Sequence, residues 1–172
     1  MRKFILATFF GAILSIAYTG AIAQGTDYRF HSIFIYNFTK YIQWPATQQS
    51  GDFVIAVVGN SPIIDELNKI TANKTVGSQK IVVKKFKSAS EIEDCHILFV
   101  PGAGSSNFDS VQEKLKGKST LVITEKSGLS QKGSGINFIL LENKWKFELN
   151  ESATQSAGLK VSRELSQMAI SV

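Results

Sequence analysis

The 172-residue sequence contains one cysteine, two histidines and three prolines. The single cysteine, Cys95, excludes an internal disulfide bond. Two histidines, one thiol and scattered carboxylates show none of the ligand spacings of a metal site, so we expect neither a metal nor another cofactor. The GxGxxG fingerprint and the Walker lysine are also missing, so neither familiar kind of nucleotide site is indicated.

The residues needed for nucleophilic catalysis are not paired in this sequence. Cys95 and His96 are adjacent at the start of a predicted strand, so their side chains point to opposite faces of the sheet. The sequence names no partner for His31. We expect both histidines in the core or at strand ends, and the sequence carries no enzyme signature.

The charge balance is mildly basic, with 19 Lys plus Arg against 14 Asp plus Glu and a net charge of +5. Lys84, Lys85 and Lys87 are the one local group of cations. Binding to nucleic acid requires several aligned cations, so we expect no nucleic-acid partner. The three lysines fit the solvated edge of a strand, where lysine discourages pairing with other chains.

The N-terminus resembles a secretory signal. Arg2 and Lys3 precede a mostly apolar run that ends in the small-x-small pattern of residues 21–23. This pattern predicts a signal peptide at 1–23, cleaved before Gln24; an uncleaved anchor is the alternative. Cleavage leaves 149 of the 172 residues, a net charge of +3, an exported chain with no membrane span, and a single domain at 24–172.

The first mature segment predicts a helix from Tyr28 to Ile42. Thr26 or Asp27 can cap this helix, and Pro45 stops it because the residue before a proline avoids helical dihedrals. Spacings of three and four residues place one apolar face inward. That face consists of Phe30, Ile33, Phe34, Asn37, Phe38 and Tyr41.

The rest of the chain alternates strands with helices. Short, unalternating apolar runs predict strands at 53–58, 81–86, 96–100 and 120–124, with helices at 63–70, 88–93 and 108–116 between and after them. Residues 136–141 and 145–149 flank a polar turn and predict a β-hairpin, and helical residues follow to the C-terminus. The expected fold is α/β: a mainly parallel sheet covered by helices on both faces, with a C-terminal β-hairpin at the edge and a C-terminal helix.

Loops that follow parallel strands share the carboxyl edge of the sheet, where open α/β folds bind ligands. Glycine amides and serines at a helix start can approach an anion there. The candidate ligand-binding residues are Gly59, Asn60, Ser61, Gly102, Gly104, Ser105 and Ser106. The alternative is that these glycines form turns and these serines cap helices.

Asn37 and Trp44 are unusual residues for this first helix. A buried amide costs free energy unless its polar atoms are paired, so we expect Asn37 to tie the helix to a neighbouring backbone. Trp44 could anchor a partner or fold back over the core.

The whole mature chain resembles the YfiR family. The resemblance lies in six segments, in order: FIYNFTKYIQWP, FVIAVVGNSP, KTVGSQKIVVKKF, CHILFV, GSGINFILLENKWKFELN and AGLKVSRELSQMA. The residues of the structural motif are Asn37, Phe38, Pro45, Cys95 and His96. Well-studied members hold several cysteines, whereas this chain has one, so regulation through an internal disulfide does not carry over.

The resemblance implies a non-enzymatic periplasmic protein. It implies a homodimer that represses or tunes a membrane-bound sensor enzyme, either a diguanylate cyclase or a histidine kinase, and that an outer-membrane lipoprotein can sequester. Candidate residues for partner or dimer contact are Arg29, Tyr36, Lys40 and Trp44. The alternative function is a periplasmic small-molecule receptor that uses the carboxyl-edge loops.

Overall fold

A computed structural model describes residues 27–172, so the signal peptide predicted at 1–23 and the start of the mature chain lie outside the described residues. The helices are α1 (Tyr28–Tyr41), α2 (Ile63–Thr71), α3 (Phe108–Leu115), α4 (Glu151–Ser156) and α5 (Arg163–Met168). The strands are β1 (Ile42–Gln43), β2 (Phe53–Val58), β3 (Thr75–Val76), β4 (Gln79–Phe86), β5 (Ile97–Val100), β6 (Leu121–Thr124), β7 (Ile136–Leu141), β8 (Lys144–Leu149), β9 (Lys160–Val161) and β10 (Ile170–Ser171).

The fold is mixed α/β, as the sequence predicted. Eight strands form one sheet in the order β10-β8-β7-β6-β5-β2-β4-β3. The central strands β4, β2, β5, β6 and β7 are parallel to one another, and β7 and β8 form the predicted antiparallel hairpin. A separate pair, β1 with β9, joins the end of α1 to the C-terminal region.

The C-terminal region contains the predicted hairpin and final helix, and short strands are added around both. The hairpin is not the outermost element, because β10 pairs in parallel with β8 beyond it. The final helix ends at Met168 and is preceded and followed by two-residue strands.

The short helix expected at 88–93 is a 3-10 turn at Ala89–Glu91.

Alternation along the central strands divides the core between the two faces of the sheet. Ile55, Ile97 and Ile123 belong to the larger cluster, which also contains side chains of α1, α2 and α5. Ala56 and Leu98 belong to a second cluster with α3. Helices α1, α2 and α5 therefore pack against one face of the sheet, and α3 packs against the other.

Helix α1 begins at a true cap, since the Asp27 side chain accepts a hydrogen bond from the Arg29 amide at 3.1 Å. Its aromatic residues pack on the hairpin: the Phe30 ring lies 6.3 Å from Trp145, and Phe34 lies 5.9 Å from Phe147. The inward face differs from the prediction. The buried residues are His31, Ser32, Ile35, Phe38 and Thr39, whereas Ile33 is 44% exposed.

Among residues 27–172, no helix combines the length and the apolar character that crossing a bilayer requires.

Candidate functional site

The loops after β2, β5 and β6 lie at the carboxyl edge of the sheet, as expected for parallel neighbours. Gly59 turns the chain there with φ +78°, a conformation that favours glycine. The Asn60 carboxamide oxygen accepts a hydrogen bond from the Lys85 ammonium group. The Ser61 hydroxyl accepts one at 3.4 Å from the amide of Ile63, the first residue of α2.

The glycine-rich loop after β5 makes its hydrogen bonds within the chain. The Gly102 amide donates to Glu125 Oε1 at 2.8 Å, and the Gly104 amide donates to the Pro101 carbonyl at 2.9 Å. The buried Ser105 hydroxyl donates to the Gly102 carbonyl at 2.6 Å, and Ser106 is exposed. The Glu125 carboxylate therefore already binds the Gly102 amide, which was expected to bind an anionic ligand. A ligand-binding role for these loops stays a prediction.

Glu125 is the centre of this edge, and sequence reasoning did not single it out. Its Oε1 accepts hydrogen bonds from the Gly102 amide and from the Tyr28 hydroxyl at 2.9 Å. One carboxylate thus joins the start of α1 to the loop after β5. The signal that could have indicated Glu125 is its position directly after a buried parallel strand, at the edge where two other loops were already expected.

His31 lies against the second oxygen of Glu125. The Nε2 atom of His31 is 3.7 Å from Glu125 Oε2, beyond hydrogen-bond length, and the two side chains are 0% and 8% exposed. Within residues 27–172, neither ring nitrogen of His31 nor Oε2 of Glu125 has a hydrogen-bond partner. Burial lowers the pKa of His31 to about 4, so its imidazole is neutral near pH 7.

Aromatic rings enclose His31 on its other sides. Its ring centroid lies 4.2 Å from that of Phe138 and 4.6 Å from that of Trp145, both at steep angles. The histidine is therefore a core residue, as expected. Because the ring is buried, its role is structural: it packs α1 against the hairpin.

The Trp-Pro and Cys-His motifs meet at the opposite end of the sheet. The indole Nε1 of Trp44 donates to the His96 carbonyl at 3.0 Å. His96 Nδ1 accepts from the Val54 amide at 3.0 Å, which leaves Nε2 to donate to the Gln48 carbonyl at 2.8 Å. These bonds join the segment after α1 to the starts of β2 and β5. His96 is a structural residue with both nitrogens satisfied.

Cys95 and Pro45 complete this structural motif. Cys95 is 2% exposed, and burial raises the pKa of its thiol to about 12, so the thiol is unreactive in the native protein. The Thr120 hydroxyl donates to the Cys95 carbonyl at 2.7 Å. Pro45 begins a 3-10 turn, and its carbonyl accepts from the Gln48 amide at 2.9 Å. Phe38, 1% exposed, packs on the hairpin.

The expectation for Asn37 needs correction, and the structure distinguishes the two alternatives for Trp44. Asn37 is half-buried and its Oδ1 accepts a hydrogen bond from Lys40 Nζ at 3.0 Å, one turn along the same helix. It does not tie α1 to another element, because the buried face is rotated toward Ile35. Of the two alternatives for Trp44, the structure shows the second, in which the side chain folds back over the core: it is 6% exposed and its indole N–H is paired inside the fold.

The other candidate contact residues lie on the surface of α1. Arg29 is exposed and forms an ion pair with Asp27 at 3.3 Å. The ring of Tyr36 lies under two ammonium groups, with Lys40 Nζ at 4.8 Å and Lys74 Nζ at 5.1 Å from its centroid. We call Tyr36, Lys40 and Lys74 together the basic patch. Such a patch suits an acidic partner surface.

Among the described residues, no three His, Cys, Asp or Glu side chains converge to hold a metal ion.

The comparisons with known proteins concern nearly the whole described chain. A family model described as YfiR/HmsC-like matches residues 28–170. A solved structure, described as a conserved domain protein from Vibrio cholerae O1 biovar El Tor strain N16961, has a similar fold with a TM-score of 0.56. The identity is 10%, and the match covers 84% of this chain and 60% of that one, so the likeness is one of fold. No curated protein matches the chain.

Proposed function

Because the chain belongs to the YfiR/HmsC-like family, we propose that it is a periplasmic regulatory protein without catalytic activity. It binds the periplasmic part of a membrane-anchored diguanylate cyclase, or of a similar sensor such as a histidine kinase, and represses or tunes it. The observation that carries the proposal is the family match from residue 28 to residue 170. The predicted signal at 1–23 supports the location.

The two histidines and the thiol support a binding role. His31 and Cys95 are buried, and both ring nitrogens of His96 are hydrogen-bonded to backbone groups. None of the three can reach a dissolved substrate. This chain acts on another molecule through its surface. We assign the basic patch, formed by two residues of α1 and by Lys74 after α2, as the contact with the sensor.

The family relation also suggests assembly. A homodimer and sequestration by an outer-membrane lipoprotein are part of the proposal. Arg29, Lys40 and Lys74 are exposed, and we assign them to either interface.

The test is deletion of the gene in its native host, followed by measurement of intracellular cyclic-di-GMP. We expect a rise after deletion and a return to the original level when the wild-type gene is restored. The Lys40→Glu variant should fail to restore it, because it reverses a charge of the basic patch. The matched control is Lys116→Glu, since Lys116 is exposed at the end of α3, on the other face of the sheet.

An unchanged cyclic-di-GMP level would contradict the proposal if the purified protein also failed to bind the periplasmic domain of any sensor encoded nearby. Binding to a histidine kinase with no change in cyclic-di-GMP would keep the regulatory role and change the class of the partner.

A further inference from the structure

The hairpin of β7 and β8 has an open side. Its two turn residues, Glu142 and Asn143, have φ of 50° and 61°, and the pair that flanks the turn is Leu141 with Lys144. Among residues 27–172, the outer side of β8 pairs with β10 at Glu148 and Leu149 alone. On its outer side, the stretch from Lys144 to Phe147 therefore pairs with no strand of the described residues.

The hydrogen-bond pattern of the hairpin, called its phase below, shows which backbone groups of β8 point away from β7. In a two-residue hairpin the flanking pair is hydrogen-bonded, so the next residue on β8, Trp145, turns its N–H and C=O outward. The same phase recurs every second residue, and it puts the Leu149 carbonyl outward. The Val172 amide donates to that carbonyl at 3.3 Å, which agrees with the phase. The outward groups of Trp145 thus face the uncovered stretch.

Side chains around this open stretch have opposite character on the two faces of the hairpin. Lys144 and Lys146 are exposed on the face away from α1, and neither forms an ion pair within the described part of the chain. On the α1 face, Trp145 is half-buried and its cross-strand neighbour Leu140 is 56% exposed. Ile33 is 44% exposed and lies one turn along α1 from Phe30, whose ring is 6.3 Å from that of Trp145.

We propose that the outer side of β8 from Lys144 to Phe147 accepts an extended segment of a partner protein in which acidic and apolar residues alternate. The added strand hydrogen-bonds to the open groups of Trp145. Because side chains of a strand alternate, its acidic residues meet Lys144 and Lys146 on one face, and its apolar residues meet Trp145 on the other.

A second copy of this chain fits the same edge poorly. Antiparallel pairing of two β8 strands brings lysines of one copy close to lysines of the other, and like charges across a pair are destabilising. The observations therefore favour a different protein with acidic residues. The inference rests on the proposed function for the identity of that protein, while its chemistry follows from β8 itself.

The test is selection of displayed random octapeptides on the purified mature protein. We expect enrichment of sequences that alternate Asp or Glu with apolar residues. Binding of a selected peptide should fall about tenfold or more in the double variant Lys144→Glu with Lys146→Glu, because two attractive cross-strand pairs become repulsive. The Lys116→Glu variant is the charge-matched control and should bind as the parent does.

A second measurement tests the strand geometry. N-methylation of the peptide residues whose amides face β8 should abolish binding, whereas methylation of the alternate residues should leave it unchanged. No enrichment, enrichment without alternation, or equal effects of methylation at both sets of residues would overturn the proposal. Competition between the peptide and a dimer of this chain would also overturn it, in favour of a second copy. Peptide binding without any effect of the gene on signalling would refute the proposed function alone.

Discussion

The buried histidine of α1 should make the protein sensitive to mild acid. Burial lowers the pKa of His31 to about 4 in the folded state, whereas the unfolded value is about 6.5. Above pH 6.5 both states hold a neutral imidazole, and this residue contributes no pH dependence. As the pH falls below 6.5, the unfolded state takes up the proton first, so the free energy of unfolding decreases until the pH reaches about 4.

The size of the effect follows from these two values. The loss is about 2 kcal/mol at pH 5 and approaches about 3 kcal/mol near pH 4. The charge of Asp27 opposes the shift because a negative charge favours the imidazolium form. The lowered pKa means that burial outweighs this attraction.

The assay is urea unfolding, followed by far-ultraviolet circular dichroism, of the parent and the His31→Phe variant at pH 7.5 and pH 5. Phenylalanine suits a site lined by aromatic rings, and it cannot titrate. Between the two pH values the parent should lose about 2 kcal/mol more than the variant. His96 is common to both proteins, so its own titration cancels in this difference.

A direct titration completes the test. The sequence has two histidines, so their ring proton resonances can be followed separately by NMR. An equal loss of stability in both proteins, or a His31 resonance that titrates near 6.5 in the folded protein, would refute the reasoning.

The remaining predictions concern the packing of the core. Trp44→Phe removes the indole hydrogen bond to the His96 carbonyl and should lower the free energy of unfolding by about 1–2 kcal/mol, measured by urea unfolding. Cys95 should not react with a thiol reagent at pH 8 in the native protein and should react fully in urea, because its thiol is buried and its pKa is raised to about 12. Gly135→Ala should cost about 1–3 kcal/mol, because the new methyl group meets two side-chain carbons at 3.1 Å. Gly104→Ala is the matched control, since its nearest contacts are at 3.8 Å, and a similar loss in both variants would show that the measured cost is not steric.

The central sheet could be predicted because its strands are specified locally. The run 53–58 is apolar throughout and bounded by polar residues and a glycine, and the structure has β2 at Phe53–Val58. The C-terminal strands could not be predicted in the same way. Residues such as Lys160 and Ile170 belong to two-residue strands that exist only because Gln43 and Glu148 lie beside them. Local periodicity there favours a longer helix.

The same reason explains the errors on α1 and at the site. Aromatic residues occur around most of α1, so spacing alone did not decide which side faces the sheet, and Asn37 was placed inward. Glu125 carries no motif. Its partners Tyr28 and His31 are nearly a hundred residues away in sequence, and only the folded chain brings them together. Loops on parallel strands could be assigned to one edge, but their hydrogen bonds could not.

The aromatic seam between α1 and the hairpin has a consequence for the order of folding. Phe30 and Phe34 belong to the first helix of the described chain, whereas the rings that cover them, Trp145 and Phe147, are among its last thirty or so residues. A chain made from its N-terminus thus holds these phenylalanines without cover until the hairpin has been synthesised. Contacts between residues so distant in sequence slow folding and favour aggregation-prone intermediates. Truncation after β6 should therefore yield an insoluble product instead of a smaller domain.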